Sequence, residues 1–177
     1  MLFSVFLVFM LLVAVVLLVI VTSAFLGFLF TKVPFVPTNA NDVEFFVKKL
    51  SIGPKDVFYD LGSGDGKVVF LVEKYSGAKT IGFELTWWTH VLAKLKAKFK
   101  KSKAMFKNQN FFKHSWAEAT VIYGYLYPPL MARVEEKFIS DCKHGTFAVI
   151  RDFPFPNLKP LEIIKRPKNH ELYIYLK

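Results

Sequence analysis

Asp60-Leu61-Gly62-Ser63-Gly64-Asp65-Gly66 follows the apolar run Val57-Phe58-Tyr59, and Glu84 closes a second run, Thr80-Ile81-Gly82-Phe83, roughly twenty residues on. Glycines at this spacing let the backbone turn out of a strand and pass close to a ligand where a Cβ would collide, and the residues after them open a helix. An acid ending the second strand accepts hydrogen bonds from two ribose hydroxyls. The pair therefore reads as a site for a nucleotide-type cofactor. A dinucleotide fingerprint, G-x-G-x-x-G counted from Gly62, needs a glycine where Lys67 stands. A Walker A loop is excluded too, because no Gly-Lys-Ser/Thr follows at the required distance. The bland reading, a glycine-rich turn in an unrelated α/β domain, loses ground to the placement of Glu84.

Met1 to Phe30 carries no charged side chain and is rich in Leu, Val, Phe and Ile. A bilayer core of about 30 Å needs roughly 20 apolar residues in a helix, and this run exceeds that. A cleavable signal would have a basic start and a shorter apolar core. A buried core helix would show a polar face, which is missing. Residues 1–30 thus read as an uncleaved transmembrane anchor. Every Lys and Arg follows it, from Lys32 onward, so the positive-inside tendency places the rest on the cytoplasmic side of a single-pass protein. The lone cysteine, Cys142, has no intrachain partner, in keeping with a reducing compartment, and reads as a small buried hydrophobe.

The net charge of +10 falls wholly after the anchor, in one domain's length of chain. Lys94, Lys96, Lys98, Lys100, Lys101, Lys103, Lys107 and Lys113 form a run without an intervening acid. A solvated helix face is the plain reading. The alternatives are an anionic lipid surface and nucleic acid, and the anchor favours the membrane.

Residues 31–41 form a link, made non-helical by Pro34 and Pro37. The domain then occupies 42–177. Asn41 or Asp42 caps a helix that runs to about Leu50, with Val43, Phe46, Val47 and Leu50 on one face. Strands are expected over 56–60, 79–84, 104–107, 119–123 and 145–151. Helices are expected over 67–75, 87–101 and 130–142, the last with Glu135, Glu136 and Lys137 outward. This alternation predicts a parallel sheet covered on both faces. The segments 161–164 and 171–176, joined through Arg166-Pro167-Lys168-Asn169, are close enough only for an antiparallel hairpin.

The D-x-G-x-G-x-G loop with its downstream acid is similar to motif I of the class I S-adenosylmethionine (SAM) methyltransferases. Val36-Pro37-Thr38, Gly82-Phe83-Glu84-Leu85, Tyr125-Leu126-Tyr127-Pro128-Pro129 and Phe153-Pro154-Phe155-Pro156 together resemble the FAM173 family of protein-lysine methyltransferases, whose members carry a membrane-associated segment ahead of the catalytic domain. The resemblance implies an α/β, Rossmann-like seven-stranded sheet with an antiparallel β6/β7 hairpin, preceded here by one N-terminal transmembrane helix. It implies SAM as cofactor. Asp60, Gly62, Ser63, Gly64 and Gly66 would line the methionine site, Glu84 would hold the ribose, and Thr38 would close over the cofactor. Asn110 would meet the adenine amino group and Phe111 would stack on the ring, although a core position suits Phe111 equally. The methyl acceptor would arrive at the end of the fourth strand, making Tyr125 and Asp152 the candidate catalytic residues. The lysine substrate, in or near the membrane, rests on the family alone.

Tyr127-Pro128-Pro129-Leu130 lacks the polar residue and the tyrosine of the Asn/Asp-Pro-Pro-Tyr signature, which disfavours methylation of base amino groups and a nucleic-acid substrate. The four histidines show no metal spacing, so no metal is expected. Methylation of a lipid or quinone, and a non-catalytic SAM-binding membrane module, are the competing functions.

Overall fold

A computed structural model of the chain describes residues 2–31 and 38–177. It divides into two units, Met1–Pro34 and Phe35–Lys177. The first holds one helix, α1 (Leu2–Thr31), whose stretch Phe3–Thr22 is long and apolar enough to cross a membrane and is exposed throughout.

The second unit is built on a seven-stranded sheet in the order β3-β2-β1-β4-β5-β7-β6. Its strands are β1 (Val57–Leu61), β2 (Lys79–Phe83), β3 (Met105–Lys107), β4 (Val121–Gly124), β5 (Phe147–Arg151), β6 (Glu162–Arg166) and β7 (His170–Leu176). β1 through β5 are parallel, and β7 lies antiparallel between β5 and β6. This is the expected sheet with its terminal hairpin. Four helices complete the unit: α2 (Ala40–Lys49), α3 (Lys67–Ser76), α4 (Trp87–Lys100) and α5 (Met131–Asp141).

Both faces of the sheet are buried, as parallel strands require. Tyr59, Leu61, Ile81, Phe83, Ile122, Ala148 and Ile150 pack on one side with Met131, Val134 and Phe138 of α5. Phe58, Val121, Tyr123 and Val149 pack on the other with Val43, Phe46 and Val47 of α2 and Val68 and Val72 of α3. The alternation of the strand residues between the two clusters is the period-two geometry of an extended chain.

Several boundaries move for identifiable reasons. β1 begins after Asp56 because that carboxylate closes the preceding turn, accepting Gly53 N at 2.8 Å and the Thr120 hydroxyl at 2.8 Å. β4 begins after Ala119, whose N–H is turned back onto the Trp116 carbonyl at 3.0 Å. The cap of α2 is Asn39, whose side chain accepts from Asn41 N at 3.1 Å, rather than Asn41 or Asp42. Asp42 is buried and takes Arg166 Nε at 2.8 Å, tying α2 to β6. Glu135 does not point outward: it is buried, and its Oε2 accepts from Asn157 N at 3.1 Å and Asn157 Nδ2 at 3.3 Å. Lys137 lies over the Trp116 ring at 5.3 Å and pairs with Asp141 at 2.5 Å.

Candidate active site

The chain steps from β1 outward to β2 and β3, then returns to β4 on the other side of β1. That reversal opens a crevice at the carboxyl ends of β1 and β4, the usual ligand position in an open α/β sheet. The glycine loop leaves β1 there. Gly62 and Gly66 take φ of 82° and 83°, a left-handed geometry that costs an L-residue roughly 1–2 kcal/mol. A Cβ on Gly66 would stand 2.6 Å from Phe106 Cζ, so the loop lies flush against β3. Gly62 N and Ser63 N both donate to the Phe83 carbonyl, at 2.9 and 2.8 Å, which straps the loop to the end of β2.

Glu84 stands just past β2, where its carboxylate is fixed by two backbone amides. Oε2 accepts from Gly64 N at 2.9 Å and Oε1 from Thr86 N at 2.7 Å. A carboxylate has four acceptor positions, so two are left for a diol. Asp65 is held by Lys96 of α4 at 2.5 Å. The loop acid, the strand-two acid and α4 are thereby joined at one corner of the crevice.

Asp60 lies beside Tyr123 in the β1/β4 register and is 3% exposed. Burial first, and then the Glu84 and Asp65 charges, push its carboxyl up to about 8. Tyr123 is buried as well, and its hydroxyl exchanges a hydrogen bond with Thr38 Oγ1 at 3.0 Å. Burial raises this phenol far above its usual value, against the opposing influence of Thr38 and Arg151. Thr38 is thus tied to the end of β4, beside Asp60. Val36 and Pro37 of the same segment lie outside the described residues.

The far rim is formed at the ends of β4 and β5. Tyr125 stacks on Phe153 at 6.2 Å between centroids, and the Arg151 guanidinium lies 4.8 Å from the Tyr125 ring centre. Burial, and then the Asp152 carboxylate, raise the Tyr125 hydroxyl, which therefore stays protonated through neutral pH. Asp152 has a φ of 62°, and the Phe153 N–H donates to the Arg151 carbonyl across it at 2.8 Å, a tight three-residue turn rare for a residue with a side chain. What holds it is β7. Asp152 Oδ1 accepts from Glu171 N at 3.0 Å, Oδ2 is 2.9 Å from His170 Nδ1, and Asp152 N donates to the Glu171 carbonyl at 2.9 Å.

Two further rim residues, His170 and Arg151, are not among the sequence-based candidates. His170 was one of four unpatterned histidines, and only the β5/β7 register, with Arg151 opposite Leu172, brings it to Asp152. Arg151 is 2% exposed, and its Nε and Nη1 make no hydrogen bond among the described residues, Nε being 3.5 Å from Asp152 Oδ2. An arginine ending an otherwise apolar strand, Phe147-Ala148-Val149-Ile150, is the one local signal that pointed to it.

The adenine-side residues are placed differently from one another. Asn110 Oδ1 accepts from Phe112 N at 2.9 Å and so caps the 3₁₀ turn Phe111–Lys113. Phe111 is buried in the core against Phe112 and Trp116, with centroids at 4.5 and 6.2 Å, and its carbonyl takes the indole N–H of Trp116 at 3.0 Å. Its ring is occupied by core packing.

The residues fit a SAM-type cofactor on structural grounds. The loop would be obstructed by a side chain, the Ser63 hydroxyl beside it is buried without a partner among the described residues, and a fixed carboxylate stands one strand away. A buried polar atom without a partner is uncommon and marks a site completed by something else.

Comparison with known proteins agrees. The ANTKMT methyltransferase domain matches residues 60–162. A protein-lysine N-methyltransferase of Saccharolobus islandicus (strain REY15A) is 29% identical over 150 residues, covering 81% of this chain and 93% of that one. An ATP synthase lysine N-methyltransferase of Rattus norvegicus is 30% identical over 146 residues, covering 79% of this chain and 66% of that one. The chain therefore spans nearly all of the first relative and about two thirds of the second. An RNA methyltransferase from Salinibacter ruber, crystallised with S-adenosyl-L-homocysteine, superposes with a TM-score of 0.76 at 26% identity, over 80% of this chain and 93% of that one. The match to the family over 60–162 begins at the first residue of the glycine loop and runs past the Asp152 rim: this chain belongs to the ANTKMT methyltransferase domain family and is a class I, SAM-dependent methyltransferase.

Proposed function

We propose that the protein is a membrane-anchored protein-lysine N-methyltransferase whose substrate is a membrane or membrane-proximal protein. The observation that carries this is the rim itself. Aromatic walls from Tyr125 and Phe153, with a carboxylate at Asp152, suit an amine that must arrive and shed its proton. Relatives named as lysine methyltransferases, one of them for ATP synthase, support the same acceptor. The uncharged helix α1 supports the membrane setting, with 31–41 as link, 42–177 as catalytic domain and the domain on the cytoplasmic side.

In this reading SAM supplies an electrophilic methyl on a sulfonium, and the protein positions the amine and handles its proton. Asp60, Gly62, Ser63, Gly64 and Gly66 hold the methionine portion, Glu84 the ribose, and Asn110 the adenine edge. Thr38 closes the methionine end through Tyr123. A lysine ammonium has a pKa near 10.4 in water, and enclosure by aromatic rings lowers it because desolvation penalises the charged form. Asp152 accepts the proton that the ammonium loses, with His170 bonded to its other side as the way out. Tyr125, its ring held between Arg151 and Phe153, walls the amine site, and its protonated hydroxyl helps to orient the amine.

The test is methyl transfer from labelled SAM into membranes of cells lacking the protein, followed by hydrolysis and amino-acid analysis. Label in methyl-lysine supports the reading. Label in the lipid extract or in RNA refutes it, as does undiminished transfer by the Asp60→Ala variant.

A further inference from the structure

The outer face of α4 is the wrong way round for a helix of a water-soluble domain. Its sheet-side residues are small, with Thr89 and Ala93 buried, while its large apolar residues point away from the protein. Trp87 is 65% exposed, Leu95 50% and Phe99 85%, with Leu92 also exposed. Leu85 before the helix and Met105 after it are exposed too. At 3.6 residues per turn, Leu92, Leu95 and Phe99 fall within about 60° of one another. Lys94 and Lys98 border that stripe on one flank, whereas Lys96 and Lys100 turn back to the domain, Lys96 to Asp65 and Lys100 over the Phe70 ring at 5.9 Å. Lys101 and Lys103 extend the basic border beyond the helix. Among the described residues, Lys96 is the only one of these six in an ion pair, with Asp65.

We propose that this face of α4 is a membrane-docking surface that lies in the interface of a bilayer containing anionic lipid. An apolar stripe bordered by Lys94 and Lys98, continued by Lys101 and Lys103 and with a tryptophan at one end, is the composition of a helix that sinks its apolar face to the acyl boundary while its ammonium groups reach the headgroups. Lysines outside any ion pair supply the complementary charge that an anionic leaflet requires. The chain supplies proximity: only residues 32–39 separate α1 from α2, a reach of about 30 Å when fully extended. This assignment goes beyond the anchor. The anchor would hold the domain near a membrane, whereas α4 would fix which face meets it.

The three tryptophans, Trp87, Trp88 and Trp116, all lie outside α1, so the fluorescence of the full chain reports on the domain alone. The full chain is reconstituted into vesicles of phosphatidylcholine and phosphatidylglycerol at about 7:3, with or without bromine on the acyl chains. Carbonate extraction of the same vesicles reads the anchor separately. The expected result is emission reduced by about a third in brominated lipid, the share of Trp87, which is strongly exposed while Trp116 is buried. Quenching should be lost in Leu95→Glu/Phe99→Glu, which retains every tryptophan, and reduced in phosphatidylcholine alone. Circular dichroism of the double variant should match the parent, as expected for substitutions at exposed sites. Unquenched emission from a carbonate-resistant chain overturns the docking face while leaving the anchor intact, and gives this face to a protein partner. Quenching of a carbonate-extractable chain supports the docking face and refutes the anchor. Quenching unchanged in the double variant also overturns the proposal.

Discussion

Replacing Asp60 with Asn removes a single ionisation whose thermodynamic signature is large. In the folded chain the Asp60 carboxyl titrates near 8, and the ordinary value is 3.8. Between those pH values the unfolded chain has released a proton that the folded chain still holds. Stability therefore falls as pH rises. The Asp60 contribution is fully present below 3.8, declines through the window and is lost above about 8. At about 1.4 kcal/mol per unit, the window amounts to a change on the order of 6 kcal/mol, comparable with the whole stability of a small domain. Urea unfolding of the full chain in detergent micelles, followed by near-UV circular dichroism, measures it. Other groups titrate alike in the parent and in Asp60→Asn, so their effects cancel in the difference. The variant should gain on the parent steadily from pH 4 to pH 8 and hold its lead above that. A difference that stays within about 1 kcal/mol across the range, the size of an ordinary substitution effect, would show that Asp60 ionises freely in the folded protein and would refute the reasoning.

Gly66→Ala should destabilise the domain by about 1–2 kcal/mol through its left-handed φ alone, and more through contacts with Phe106 and Phe70; Phe106→Leu in the same chain should recover only part of the contact loss by urea titration, because Phe70 Cε2 stands 2.9 Å from the same point. Trp116→Ala empties the centre of the α5-side core and removes one of the two donors to the Phe111 carbonyl, so a loss of roughly 3–5 kcal/mol is expected in the same assay. Tyr125→Phe keeps the ring between Arg151 and Phe153, whereas Tyr125→Ala removes it. Methyl transfer should fall modestly in the first and roughly 100-fold in the second, the scale of a misplaced reactant; equal losses would assign the role to the hydroxyl.

What could be read in advance follows from how local each signal is. The glycine loop, the apolar strands and the closing Glu84 are consecutive residues whose conformation is dictated by neighbours, so the parallel sheet and cofactor crevice were legible. The rim was legible only in part. Tyr125 and Asp152 were identified from the ends of their strands, but Arg151 and His170 gain their significance from the pairing of β5 with β7, which no local pattern encodes. Glu135 was misread for a related reason. A carboxylate on a helix reads as solvated until something reaches it, and the partner that buries it, Asn157, belongs to the segment after β5. The exposed apolar face of α4 was hidden by its lysines, because alternating Lys with Leu and Phe has the appearance of an ordinary amphipathic helix until the sheet shows which side is inward.

The placement of β7 next to β5 has a practical meaning for any experiment on this enzyme. Running antiparallel, β7 starts beside Asp152 and finishes at the opposite end of the sheet, where the Gly145 N–H donates to the Lys177 carbonyl at 2.7 Å and the Lys177 N–H to the Thr146 carbonyl at 3.0 Å. The Lys177 ammonium meanwhile caps the end of α5, donating to the Ile139 and Cys142 carbonyls. A fluorophore placed at Leu176, 50% exposed, would therefore sit at the end of the sheet remote from the crevice. Substitutions that break the pairing of β7 with β5 would instead unzip the strand that holds Asp152 in its turn.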